Sequence, residues 1–302
     1  METIIPPIDK SLLVSELTKE RFLRNSNYGK SELYVVNHEN APNVLREIGR
    51  LREVTFREAG GGTGKACDID KYDTTDVSYT QLIVWDPEDQ EITGGYRYIC
   101  GKDIVHDYKN LLATTQLFDF SDEFIRDYLP HTIELGRSFV QPRYQFQNNR
   151  KKGLYALDNL WDGLGALIVI NPEMKFFFGK ITMYKQFDIN ARSMILTFLH
   201  LYFPNKNQLM TAKDPIFTPT RADLERFEGD NYQKDYAMLS QKVRVLGENI
   251  PPLFNAYMNL SPSMQSFGTV DNTHFGGVEE TGIMINIHDI YESKKERHIK
   301  SL

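Results

Sequence analysis

Two clusters of acids and arginines, each set in or beside an apolar, strand-like segment, constrain this chain more than any other feature. The first is Asp68, Asp70, Tyr72 and Asp73, followed one strand later by Gly94, Gly95, Tyr96 and Arg97. The second is Glu134, Gly136, Arg137 and Ser138, running into Phe139 and Val140. A charge carried into an apolar interior needs a partner, because an unpaired one is among the costliest groups a fold can bury. The expectation is a polar cluster inside an α/β fold, where perturbed ionisation and chemistry tend to coincide.

The rest of the chain bounds what such a cluster can serve. With 302 residues, 41% of them hydrophobic, there is material for one large domain or two small ones. A net charge of −6 provides no electrostatic footprint for nucleic acid. Two cysteines, Cys67 and Cys100, make neither a disulfide framework nor a structural zinc site, and a reducing cytoplasm is the expected setting. The longest apolar run, residues 166–170, falls far short of the roughly 20 residues of a membrane-spanning helix. The N-terminus, with Asp9, Glu16 and Glu20, lacks the form of a secretory signal. Peripheral contact with the inner face of a membrane stays open.

Periodicity predicts an amphipathic helix over residues 11–24, within an N-terminal helical segment spanning 1–30, and a strand over 33–36. A helix opened by Pro42 runs to about residue 57, and a polar, glycine-rich loop covers 59–76. Strands 79–85 and 92–100 form a hairpin, followed by a helical stretch near 118–128 and a strand over 131–140. Then come a buried helix over 153–170, a strand over 175–183, a helix over 189–203, a short helix near 251–260 and a last strand over 282–287. Residues 204–245 read as an insertion and 288–302 as a solvated charged tail. This order argues for one α/β domain, a mixed sheet with helices on both faces.

Several chemistries fit the clusters. Asp68, Asp70 and Asp73 could grip an amine, orient an arginine, or simply make turns in a solvated loop. The spacing lacks the pattern of a calcium loop, and no metal is expected. Arg97, beside two strand glycines, either pairs bidentately with a carboxylate or lies at an exposed edge. Glu134 and Arg137 fall on opposite strand faces unless the backbone bulges, and Gly136 makes a bulge credible. Partial burial would make Glu134 a general base for an amine; a structural salt bridge is the alternative. Arg143, Arg150, Lys151 and Lys152 form a basic patch without an acid, suited to a phosphate or an acidic partner if it is more than a solvated charge run. Residues 60–65 imitate a nucleotide-binding loop but fail it. Ala59 stands where a glycine is required, Ala66 where a serine or threonine is, and no strand precedes.

The series Arg52 and Phe56, Asp70 and Asp73, Gly94 and Arg97, Glu134 and Arg137 resembles the acyl-homoserine-lactone synthases. Residues 68–73, Glu134 to Ser138, the Pro251, Pro252, Leu253 run and the Phe275, Gly276 pair resemble a sister group more closely. That group is the ornithine-lipid and glycine-lipid type N-acyltransferases, often labelled hemolysin-like. The resemblance implies a GNAT-like fold and transfer of a fatty acyl group, typically 3-hydroxylated, from acyl carrier protein to an amino-acid amine. Glycine and ornithine are both open as acceptors. It implies no bound cofactor, with acyl-ACP or acyl-CoA as co-substrate. Glu134 would deprotonate the amine, with Arg137 beside it, and Arg52, Phe56, Asp70, Asp73 and Arg97 would line the acceptor site. Arg143, Arg150, Lys151 and Lys152 would meet the carrier protein or its phosphopantetheine. The thioester would lie where two strands splay, near 134–140 and 175–183, with Phe139, Leu167, Phe176, Phe178 and Met183 as candidates for an acyl slot. The synthases' tryptophan near residues 60–64, the usual GNAT pyrophosphate loop and a glycerolipid-acyltransferase motif are all missing. An acetyl-CoA-dependent small-molecule N-acetyltransferase and a non-catalytic GNAT fold that binds lipid or protein are the other readings.

Overall fold

A computed structural model describes residues 1–145 and 155–299. Its strands are β1 (Phe22–Asn25), β2 (Glu32–Val36), β3 (Thr80–Asp86), β4 (Glu91–Cys100), β5 (Phe118–Phe120), β6 (Thr132–Val140), β7 (Phe176–Met183), β8 (Met210–Ala212), β9 (Gln265–Asn272) and β10 (Val278–Asn286). Eight of them form one mixed sheet in the order β1-β2-β3-β4-β6-β7-β10-β9, while β5 and β8 pair separately. The sheet is covered on both faces. That is why β3, with Gln81 to Trp85 all buried, reads as a nearly continuous apolar run rather than an alternation.

The helices used below are α1 (Lys10–Glu16), α2 (Pro42–Glu58), α3 (Lys71–Thr74), α4 (Ala156–Ile170), α5 (Ile189–Tyr202), α6 (Tyr232–Val245), α7 (Pro252–Met258) and α8 (Glu292–His298). On one face α4 and α5 cover Leu82, Val84, Ile133, Phe177, Ile181, Ile283 and Ile285. On the other, α2 presses Ile48, Leu51 and Phe56 against Ile83, Trp85 and Phe139. The architecture expected from the order of elements, a mixed sheet between helical layers, is the one found.

Within this sheet β6 and β7 are the parallel neighbours, joined by the crossover that contains α4. Their pairing runs only from Thr132 opposite Phe176 to Leu135 opposite Gly179. Beyond it β7 stays paired to β10 along its whole length, while β6 stays with β4, so the two strands part. A bulge in β6 helps: Arg97 pairs with Gly136 and Gly95 with Phe139, so Tyr96 alone faces both Arg137 and Ser138.

The expected loop over 59–76 contains the short helix α3, and β9 lies where no strand range was expected; three further segments differ from the sequence expectation. The helix expected over 11–24 stops at Glu16, and residues 22–25 form the edge strand β1 instead. Glu16 caps the neighbouring helix: its carboxylate accepts from the Asn43 and Val44 N–H groups at 3.1 and 2.9 Å, at the start of α2 where Ala41 has no side chain to do so. The helix expected near 118–128 is split between β5 and a single wide turn over Phe124–Tyr128. The charged tail is not solvated throughout: it forms α8, whose His298 Nδ1 lies 2.8 Å from Oδ1 of fully buried Asp162 on α4. Residues 204–245 hold β8 and α6, and α6 packs Tyr232 and Tyr236 on Phe198 of α5.

Gly165 allows α8 to dock, since a Cβ there would sit 2.0 Å from the His298 carbonyl oxygen. Alanine would favour the helix by about 1 kcal/mol, but a backbone clash of this size costs more, about 1–3 kcal/mol. Gly165→Ala is expected to lower the urea midpoint with an unchanged m value. A raised midpoint would mean that propensity wins and the docking is loose.

Candidate active site

The aspartate loop is built around α3. Asp70 is its N-cap and accepts from Tyr72 N–H at 2.9 Å, while Asp73 accepts from Asp70 N–H at 3.1 Å, a reciprocal capping box. The cap turns Asp73 inward, where it is fully buried. Arg52, on the buried face of α2, donates to Asp73 at 3.2 Å and also to Gln81 of β3. Gln81 in turn donates to Asp73 at 3.0 Å. Arg97 of β4 donates to Asp70 at 2.8 Å and to Asp73 at 3.0 Å. Burial alone would raise the Asp73 carboxyl, but the Arg52 and Arg97 guanidinium groups outweigh it and hold it well below the usual carboxylate range. Arg137 completes the cluster, its Nε 2.9 Å from Asp68 and its Nη2 3.8 Å from Asp70.

Of the two readings open for Arg97, burial against carboxylates is the one found, though not bidentately: a single terminal nitrogen serves both Asp70 and Asp73. Gly94 and Gly95 mark close backbone approach: a Cβ on either would lie 2.6 Å from the Phe139 or Leu82 carbonyl oxygen. Aromatic faces hold the cations from the other side. Arg97 lies 4.9 Å from the Tyr79 ring and Arg137 4.1 Å from the Phe275 ring, which Phe56 meets edge-on at 5.0 Å.

Glu134 stands apart from this neutralised cluster. It is 3% exposed and accepts from Thr114 at 3.0 Å. Burial pushes its carboxyl up to about 7, against smaller downward pulls from the Thr114 hydroxyl, the Lys180 charge and the Tyr79 hydroxyl. The bulge brings Glu134 and Arg137 to one cleft despite their odd spacing. The expected bulge is present, but the left-handed residue is Arg137, with φ of 51°, rather than Gly136. Such strain in a non-glycine residue persists only where neighbours hold it, and Asp68 and Phe275 do so here.

The parting of β6 and β7 opens a cleft reached from both faces of the sheet. The polar half is lined by Arg97, Glu134, Arg137, Lys180 and Glu280, with Phe56 and Phe275 as walls. The apolar half is lined by Leu160, Trp161, Leu164, Phe177, Ile283 and Tyr257. The halves share residues 135–138, Lys180 and Leu253. Each encloses only about 60 Å³, room for a few waters. Of the five residues expected to form an acyl slot, Phe178 alone lines this cleft. Phe139, Leu167 and Met183 are buried core, and Phe176 packs 5.1 Å from the Tyr128 ring. The missed lining residues lie on α4, β7, α7 and β10, whose apolar spacing is the same whether they face a core or a cleft.

The basic patch fares differently. Arg143 is paired with Glu91 at 2.7 Å, and Arg150, Lys151 and Lys152 lie outside the described residues. The loop over 60–65 is put to structural use: Glu53 accepts from Thr63 and Gly64 N–H at 3.1 and 2.7 Å, so a carboxylate of the chain itself occupies its anion nest. Sequence reasoning also missed Gln81 and the Lys180–Glu280 pair. A polar residue or a lone lysine inside an apolar strand was the available signal.

Residues 51–152 match the family described as the acetyltransferase (GNAT) domain. Over its whole length the chain is 53% identical to a glycine N(alpha)-acyltransferase of Bacteroides thetaiotaomicron, 90% of which it spans. It is 52% identical to a protein of the same name from Phocaeicola vulgatus, 94% of which it spans. Among solved structures, the acyl-homoserine-lactone synthase LasI is similar at 17% identity and a TM-score of 0.36, over 50% of this chain and 72% of that one. The CoA-dependent synthase BjaI, with SAM and isopentyl-CoA, is similar at 14% identity and a TM-score of 0.33, over 54% of this chain and 72% of that one. With about half its residues shared along its full length, the chain belongs to the glycine N(alpha)-acyltransferase family and is an N-acyltransferase of the GNAT type.

Proposed function

We propose that this N-acyltransferase moves a fatty, 3-hydroxylated acyl group from the phosphopantetheine thioester of acyl carrier protein to the amine of glycine, as a step in aminolipid synthesis. The buried Glu134, poised near neutrality at the point where β6 and β7 part, carries the reading. The relatives' name supports glycine, and so does the smallness of the polar half, which suits an acceptor with no side chain. The apolar half suits the chain, although a long one must widen it.

The chemistry follows from the groups present. Glycine binds as an ammonium and gives one proton to the Glu134 carboxylate, directly or through water. The free amine attacks the thioester carbon, a C–N bond forms, the C–S bond breaks and the thiol departs with a proton. Charge developing on the carbonyl oxygen meets backbone N–H groups of the bulge at Arg137 and Ser138 and the Arg97 Nε, which is buried without a hydrogen-bond partner. Asp70 and Asp73 hold Arg97 in place, Arg52 fixes Asp73 from its other side, and Phe56 walls the acceptor site. Arg143 and the basic residues after it would meet the acidic carrier, with the protein cytoplasmic and its lipid product drawing it to the membrane face.

Purified protein given 3-hydroxyacyl-ACP and glycine is expected to yield N-acylglycine by mass spectrometry. Parallel arms with ornithine, acyl-CoA and acetyl-CoA separate the readings, and product from acetyl-CoA alone would overturn the fatty-acyl donor. The acid limb of kcat/KM should break near pH 7 and fall about tenfold per pH unit below it, because only the carboxylate accepts a proton. Glu134→Gln should remove that break and lower kcat/KM by about 10²–10⁴.

Stability moves the other way. The unfolded carboxyl ionises near 4.3 and the folded one near 7. Stability therefore falls as pH rises between these values, by about 4 kcal/mol in all. Glu134→Gln should thus match the wild type at pH 4 and exceed its denaturation midpoint at pH 8. An equal midpoint at both would show that Glu134 is not buried as a strained acid.

A further inference from the structure

The charges that line the cleft differ in how far they are already committed. Arg52 and Arg97 share Asp73, Arg97 also holds Asp70, and Arg137 lies against Asp68 and Asp70 with its flat face on Phe275. Three guanidinium groups are thus matched by three aspartates, in rigid forks with aromatic walls behind. Apart from the Arg97 Nε given above to the thioester oxygen, turning any of them toward a small anion would break a buried pair.

Lys180 is different. It follows Gly179, the last residue of β7 paired with β6, so it projects where the strands have just separated. Its ammonium donates to Glu280 at 2.7 Å, and Asn272 donates to the same Glu280 oxygen at 2.8 Å. An ammonium has three donors on a flexible stem. Its side chain is 14% exposed, toward both halves of the cleft.

Register sets its relation to Glu134. Glu134 is directly opposite Phe178, and Lys180 is two residues further along β7, on the same face. The two backbones are about 8 Å apart by strand spacing and rise. That gap takes an α-amino acid with a hydrogen bond at each end, its ammonium to the carboxylate and its own carboxylate to the lysine.

We propose that Lys180 is the residue that binds the acceptor's carboxylate, with Glu134 taking its ammonium, so that the pair across the parted strands selects a zwitterionic α-amino acid. This deepens the assignment of glycine as acceptor and rests on it. Lys180 takes this role rather than an arginine because the guanidinium groups are already held by aspartates.

The test compares glycine with glycinamide, which keeps the amine and the shape but loses the negative charge. Both are assayed with the same acyl-ACP, in wild type, in Lys180→Met and in Lys180→Met/Glu280→Gln. The double variant is included because the single one strands a buried Glu280, whereas removing both charges of a buried pair is often tolerated. The expected result is a rise in KM for glycine of about tenfold to a hundredfold, from loss of one charged hydrogen bond. The wild-type preference for glycine over glycinamide should collapse to near parity, while KM for glycinamide hardly moves. Intrinsic differences between the two amines cancel, since the readout is the change in their ratio. If the wild type acylates glycine and the folded double variant keeps both its KM and its preference, the Lys180 assignment is overturned alone. If the wild type makes no N-acylglycine, the acceptor itself is wrong and both proposals fall.

Discussion

One buried carboxylate holds the polar side of this molecule together. Asp73 is removed from water and collects Arg52 from α2, Gln81 from β3, Arg97 from β4 and the N–H of Asp70 from its own loop. Four segments distant in sequence therefore meet at one point. Buried ion pairs add little net stability against an apolar replacement, yet losing one partner strands the other at high cost. The effect is orientation. Glu53 holds the start of the glycine-rich loop over 59–76, and the Asp73 contacts pin its end so that Asp68 and Asp70 face Arg137 on β6.

The cleft depends on that pinning and on the sheet. β6 and β7 are joined by four residue pairs and then part. Each has a better partner on its other side, β4 for β6 and β10 for β7. The bulge adds a residue to β6 and twists it further from β7. Arg137 takes a left-handed backbone to do this, and its ties to Asp68 and Phe275 offset the strain. The outcome is a gap with charge on one side of the sheet and hydrocarbon on the other. An amine and a fatty thioester, which need opposite surroundings, could approach each other through such a gap.

Much of this was legible along the chain. The hairpin, the crossover helix and the last strand follow from alternation and turn residues that neighbours alone dictate, whereas the range of β9 does not. Charges inside apolar runs announced a buried polar cluster, because leaving them unpaired there costs too much free energy. Arg97 and Glu134 stand out on that ground; Arg97 pairs with Asp73 and shares the cleft with Glu134. The pairing within the cluster was not legible, nor was the neutralisation of all three arginines, the place of Lys180 and Glu280, or the docking of α8 through His298 and Asp162. Each of these depends on which strands become neighbours and in what register.

What the residue order settled by itself is therefore local: which stretches are strands or helices, and which charges had to go inside. What only the tertiary structure decided is which charge meets which, and which one keeps its freedom. The physical reason is range. Backbone preference and hydrophobic period act over a few residues, whereas an ion pair or the parting of two strands is set by segments tens of residues apart that come together only when the sheet forms.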